Sequence, residues 1–309
     1  MSAVGAGLII GKQIIIMFII LALGVVCNLK GLITKDGTKT LSVIELNIVN
    51  PVLIFMSYQT DYEPALLKGL MWAFLLAAIS FAAAIPFSML FVPKKSRYSV
   101  IQRFSIIYSN CGFMGIPLIN NIYGSKGVLY LTAYITLFNL LVWTHGYIMM
   151  KGQKDFSTLI KAVLSPSVIA TVLGFVFYIT NIRLPEIPHN AMEYISGMNT
   201  PLAMLIAGAT VAQTNILKAF KGIEIYRVCA GKLIIVPALT FALVWLTPAP
   251  DVVKMVVTIA AGCPVATTGT MFAITMDRHP QKCSEFFAVT TVLSGLTLPL
   301  VTMVCEKLL

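Results

Sequence analysis

The residues with the clearest chemistry in this chain are hydrogen-bond donors placed where an apolar span is interrupted. Ser109-Asn110-Cys111-Gly112-Phe113-Met114-Gly115-Ile116-Pro117-Leu118 lies inside a run long enough to cross a bilayer. Pro117 has no N–H and clashes with the preceding turn, and Gly112 and Gly115 weaken the helix before it, so a break is expected there. A second apolar run is interrupted in the same way at Ala260-Ala261-Gly262-Cys263-Pro264-Val265-Ala266, followed by Thr267, Thr268 and Thr270. Two broken spans in corresponding positions of two halves point to a transporter binding site. Each break exposes unpaired N–H groups at the start of a half-helix, and these suit an anion. The expectation is that Pro117 and Pro264 stand in the first turns of an outer and an inner half-helix. The alternative is a pair of ordinary kinks repaired by Ser, Thr and Asn side chains.

Asn110 falls ~15 Å into its span, near mid-bilayer, and Asn139 is similarly deep in the next one. Their amides can donate to a carboxylate or to a neighbouring helix. Lys232 is an intramembrane cation, expected either to snorkel or to sit beside the breaks as a counter-ion. Cys111, Gly112, Cys263, Thr267 and Thr268 complete the candidate binding set. Glu45 and His145, each close to a span end, are expected at the membrane interface. Thr290, Thr291, Ser294 and Thr297 are spaced for helix packing.

The elements that must position these residues are membrane helices. The chain is 58% hydrophobic and 11% charged, with a mean hydropathy of +0.89, which excludes a soluble domain. The net charge of +10 comes from basic residues scattered through short loops, which argues against nucleic acid. Six cysteines without metal-ligand spacing read as free thiols, with no metal site and no cofactor.

Ten windows reach the required length: 8–28, 41–58, 66–92, 99–123, 127–149, 159–180, 192–213, 226–246, 252–275 and 284–305. The first has no basic start and no cleavage site after Cys27, so it reads as a span rather than a signal peptide. Loops after odd-numbered spans carry 14 basic residues against 6 on the other side, which places them in the cytoplasm and both termini outside. Pro51, Pro86 and Pro117 in spans 2 to 4 are echoed by Pro201, Pro237 and Pro264 in spans 7 to 9. Five spans per half is an odd number, so the halves are expected to be inverted: residues 1–150, a short linker at 151–158, and residues 159–309.

These patterns resemble the auxin efflux carrier family. The resemblance rests on Asn110 to Pro117 read as Asn-x-x-x-Met-Gly-Ile-Pro-Leu, then Tyr123-Gly124; on Asn47 through Pro51-Val52-Leu53; on Asn139 four residues before Trp143; and on Lys232 five residues before Pro237. Cys263-Pro264 and Thr291-x-Leu293-Ser294-x-x-Thr297-Leu298-Pro299-Leu300 extend it over nearly the whole chain. It implies an all-α polytopic fold of ten transmembrane helices, similar to bile-acid symporters and sodium/proton antiporters, with broken helices 4 and 9 crossing. It also implies a scaffold of helices 1, 2, 6 and 7, a mobile core of helices 3–5 and 8–10, and a homodimer. Plant carriers have a long insert between spans 5 and 6 that is absent here, which turns the expected substrate from auxin toward small mono- or dicarboxylates such as malate or malonate. A sodium-coupled symporter is the second expectation, and an anion channel, lacking charge rings, the third. No nucleophile and base pair suggests an enzyme.

Overall fold

The computed structural model describes residues 3–152, 164–214, 219–220, 222–276 and 278–309, and only the backbone of 3–11, 13, 14, 274 and 275. Most of the expected linker, from 153 onward, and Lys161, Lys218 and Lys221 lie outside these residues. The helices are α1 (Ala3–Leu29), α2 (Lys35–Ser57), α3 (Pro64–Phe91), α4 (Ser99–Ile107), α5 (111–123), α6 (125–151) and α7 (Pro166–Ile179), then α8 (Glu186–Ala212), α9 (Ile223–Trp245), α10 (Asp251–Gly262), α11 (Thr267–Thr275) and α12 (Pro280–Leu308). Among the described residues, six helical runs are long and apolar enough to cross a membrane: α2, α3, Cys111–Lys151, α8, α9 and α12. The Cys111–Lys151 run is divided into α5 and α6 at Gly124, whose φ of 64° is a left-handed conformation that glycine takes without strain. The expected spans 1 and 6 correspond to shorter apolar helices, Ile15–Leu29 and Pro166–Ile179. Spans 4 and 9 are the interrupted ones.

At three places a proline goes with a widened turn and not with a break, while Pro86 and Pro299 lie inside plain α-helices and a fourth π-turn, Val142–Gly146, has no proline after it. Glu45–Val49, Cys111–Gly115 and Ala230–Ile235 are π-turns, and in each case a proline follows as the second residue beyond the turn: Pro51, Pro117 and Pro237. An α-helix needs an N–H at that position, and the ring would press on the carbonyl four residues back. A π-turn shifts the pairing to five residues, as in the Ile116 N–H bond to the Cys111 carbonyl, and so absorbs the missing donor without ending the helix. This corrects the expected position of the first break. It lies at Tyr108–Asn110, ahead of the glycines, and Pro117 stands inside α5.

α1 packs along α8, while α2 lies between α7 and α8. The α1 contact is backbone on backbone: a Cβ on Gly24 would overlap the Leu205 carbonyl, and one on Gly208 the Leu21 carbonyl. Small residues allow this approach in apolar surroundings, where dispersion forces hold helices together. α3, α6, α9, α10 and α12 surround the two interruptions and contribute most of the core, with Tyr108, Tyr134, Phe81 and Phe104 among its largest buried side chains.

Candidate functional site

The two interruptions lie against each other. α4 ends at Ile107 and α5 starts at Cys111, while α10 ends at Gly262 and α11 starts at Thr267. Between them the chains run antiparallel and pair at Ser109 and Val265. The Asn110 N–H donates to the Pro264 carbonyl at 2.7 Å, and the Ala266 N–H to the Tyr108 carbonyl at 3.0 Å. The Val265 N–H is taken by the Thr290 hydroxyl at 3.1 Å, which itself donates to the Phe286 carbonyl on α12 at 2.7 Å. Backbone groups that a broken helix would leave bare in apolar surroundings are thus paired across the crossing. Pro264 lies in the extended segment rather than in a first helical turn, and Cys263 before it is extended (ψ 151°), as a residue preceding proline tends to be. The helix starts facing the crossing are therefore those at Cys111 and Thr267, not turns begun by Pro117 and Pro264.

Lys232 reaches this point from the π-turn of α9. It is 0% exposed, and its Nζ donates to the Ser109 hydroxyl at 2.7 Å. Ser109 Oγ lies 3.5 Å from the Ala261 carbonyl in the last turn of α10 and 3.3 Å from the Tyr134 hydroxyl. No carboxylate pairs with Lys232 among the described residues. Snorkelling is therefore not what this lysine does. All six cysteines are free.

Asn110 is 4% exposed, and its side-chain Nδ2 is buried with no partner among the described residues. An unfilled buried amide donor costs about 1–3 kcal/mol unless a ligand takes it. Thr268 Oγ1 on the first turn of α11 is unpartnered in the same way, with Thr267 beside it. A Cβ on Gly115 would lie 3.4 Å from Cys263 Sγ, and one on Gly112 3.5 Å from the Asn50 amide nitrogen on α2.

Asn110, Cys111, Gly112, Lys232, Cys263, Pro264, Thr267 and Thr268 thus share the crossing. Asn139 is half-buried on α6, next to Phe138, which packs on Tyr108 with ring centroids 6.0 Å apart; no hydrogen bond among the described residues joins its amide to the crossing. Pro117 is buried farther along α5.

Further positions bear on the site. Glu45 is 0% exposed within the protein, ~15 Å along α2 from its start at Lys35. Asn199 Nδ2, at the bend of α8, donates to Glu45 Oε1 at 2.7 Å and also to Asn50 Oδ1. His145 is half-buried against Tyr108, with 2.8 Å between its Nδ1 and the Tyr108 hydroxyl. Thr290 does more than pack, since it holds the α10–α11 break. Ser109, Tyr134, Asn50 and Asn199 were not singled out by sequence. For the two asparagines a signal exists in Asn50-Pro51 and Asn199-Thr200-Pro201, amides set just ahead of prolines in corresponding spans.

The profile of the membrane transport protein family matches residues 9–302. A relative from Methanothermobacter thermautotrophicus, described as an uncharacterized transporter, is 23% identical over 301 residues, covering 95% of this chain and 97% of its own.

Proposed function

The chain belongs to the membrane transport protein family, of auxin efflux carrier type, and from that premise we propose that it is a secondary transporter of small organic anions, mono- or dicarboxylates, bound at the crossing. One observation carries this reading: Lys232 is a wholly buried cation whose hydrogen-bond partner is the neutral hydroxyl of Ser109, the residue before Asn110 with its unfilled buried amide donor. A buried charge is stable when paired and costly when alone, so an anion at this point satisfies both groups. The starts of α5 and α11 add N–H groups and the positive ends of two helix dipoles.

In this reading ten spans form two inverted halves in the cell membrane, with both termini outside. Helices α3 to α6 and α9 to α12 travel as a core against a scaffold of α1, α2, α7 and α8, which also forms a homodimer. Asn110 and Lys232 are closed off from solvent in the present arrangement, so a ligand reaches them only when the core moves. Asn139 and Pro117 act as supporting positions near the crossing. The second reading, a sodium-coupled symporter, draws on Glu45, whose burial supplies the intramembrane carboxylate that spans 4 and 9 lack.

The test is binding of malate, malonate and indole-3-acetate, each beside its neutral amide, to the purified wild type and to Asn110→Ala. The acids should bind and the amides should not, and Asn110→Ala should weaken the acids by about tenfold to a hundredfold, the loss of one charge-assisted hydrogen bond. Equal binding of acids and amides would overturn the anion site.

A further inference from the structure

Glu45 on α2 and Asn199 on α8 face each other with complementary groups, half of which are unfilled. Asn199 Nδ2 donates to Glu45 Oε1, and its other amide hydrogen goes to Asn50 Oδ1. Glu45 Oε2 and Asn199 Oδ1 are both buried with no donor among the described residues. Both are acceptors, so no rearrangement of the pair as a carboxylate and an amide can satisfy them. A single added proton can. A neutral acid donates from Oε2 to Asn199 Oδ1 while it accepts at Oε1, closing a two-bond ring between carboxyl and amide.

Among the described residues no cation bonds to Glu45. The elements packed on this turn are the rest of α2, α7 and α8. Their titratable groups are Lys35, Asp36 and Lys39 on α2 and Tyr58 just past its end, Tyr178 on α7, and Glu186, His189, Glu193 and Tyr194 on α8 before its bend. None of them bonds to Glu45 among the described residues, and Cys111 is the nearest titratable group on α5, beyond Asn50 and Gly112.

We infer that Glu45 is a proton-binding site that couples proton movement to transport, holding the proton as a neutral acid paired with Asn199. The inference rests on the transporter reading. Through Asn50, the pair abuts Gly112 at the start of α5, so a carboxylate at Glu45 repels an anion at the crossing while the neutral acid does not. Proton and anion then favour each other's binding, and this linkage is reciprocal. The expected outcome is symport, with the proton taken up from the side on which the anion binds and given back on the other.

The experiment uses the full chain in proteoliposomes, with malonate and indole-3-acetate as probes and the membrane potential clamped at zero. An inward proton gradient should raise accumulation by about tenfold per pH unit for one proton per anion. Glu45→Gln, which places an amide hydrogen where the proton would be, should lose this response while still exchanging the probes measurably, and should melt no lower than the wild type. A full proton response in Glu45→Gln would overturn the inference, as would a response to a sodium gradient in place of a proton gradient. A separate arm needs no substrate: infrared difference spectra of wild type against Glu45→Gln at neutral pH should contain the carbonyl band of one buried neutral carboxylic acid. Identical spectra would overturn the site. If neither probe is moved in any gradient, the carboxylate reading fails, and the infrared arm still decides whether Glu45 holds a proton.

Discussion

Replacing Lys232 by methionine should move affinity and stability in opposite directions. Methionine keeps the unbranched apolar stem that α9 packs around and deletes the charge. With an anion ~5 Å away and an effective dielectric of ~20, the lost attraction is about 3 kcal/mol, within the range of about 1.5–3 kcal/mol for a hydrogen bond to a charged group. A net loss of about 2 kcal/mol corresponds to roughly a 30-fold weaker Kd. Without ligand the balance reverses. The wild type then holds a fully buried ammonium whose bond is to the Ser109 hydroxyl, and burying an unpaired ion is unfavourable. The ligand-free variant should therefore melt at a higher temperature than the ligand-free wild type. Calorimetric titration with malonate and a thermal melt of the same two preparations make the comparison. Unchanged affinity together with a lower melting temperature would refute the reasoning, and would mean that the lysine serves the α10 carbonyls, through Ser109 and Ala261, in place of an anion.

Thr290→Val should cost about 1–3 kcal/mol of stability, because the buried Val265 N–H loses its acceptor; a melt showing no change would mean that the break finds another partner. The orientation expected from the basic residues can be checked with single cysteines at Lys95 and at Asp251, the latter chosen because its side chain is 65% exposed whereas that of Lys254 is 10% exposed. An impermeant thiol reagent should reach the two positions from opposite sides of the membrane, and labelling from one side would end the inverted five-span arrangement.

Sequence was informative where residue type dictates backbone behaviour. Clusters of glycine, proline and small polar residues marked both interruptions, and a buried lysine in an otherwise apolar span marked the third partner of the crossing. It was misleading where the outcome depends on how a helix absorbs a proline. Pro117 reads as a break and is accommodated by a π-turn, which displaces the interruption toward Tyr108, a residue with no breaking propensity of its own. What ends α4 there is pairing with a segment more than 150 positions away, and no local signal carries that. For Glu45 the apolar window begins at 41 whereas the helix starts at Lys35, and no local signal shows that Asn199, 154 positions away, packs against it.

The antiparallel pairing at Ser109 and Val265 also has a mechanical meaning. Two short backbone bonds and the Thr290 hydroxyl tie the interrupted strands to each other and to α12, so neither interruption can shift without dragging its counterpart. On the proposed reading, in which the crossing travels with the core, such a clasp carries its cargo without reshaping the grip: the same donors meet the anion at either face of the membrane, and the intrinsic Kd should be equal on both sides. A device of that kind has no preferred direction of its own, and net flow would follow the prevailing gradient.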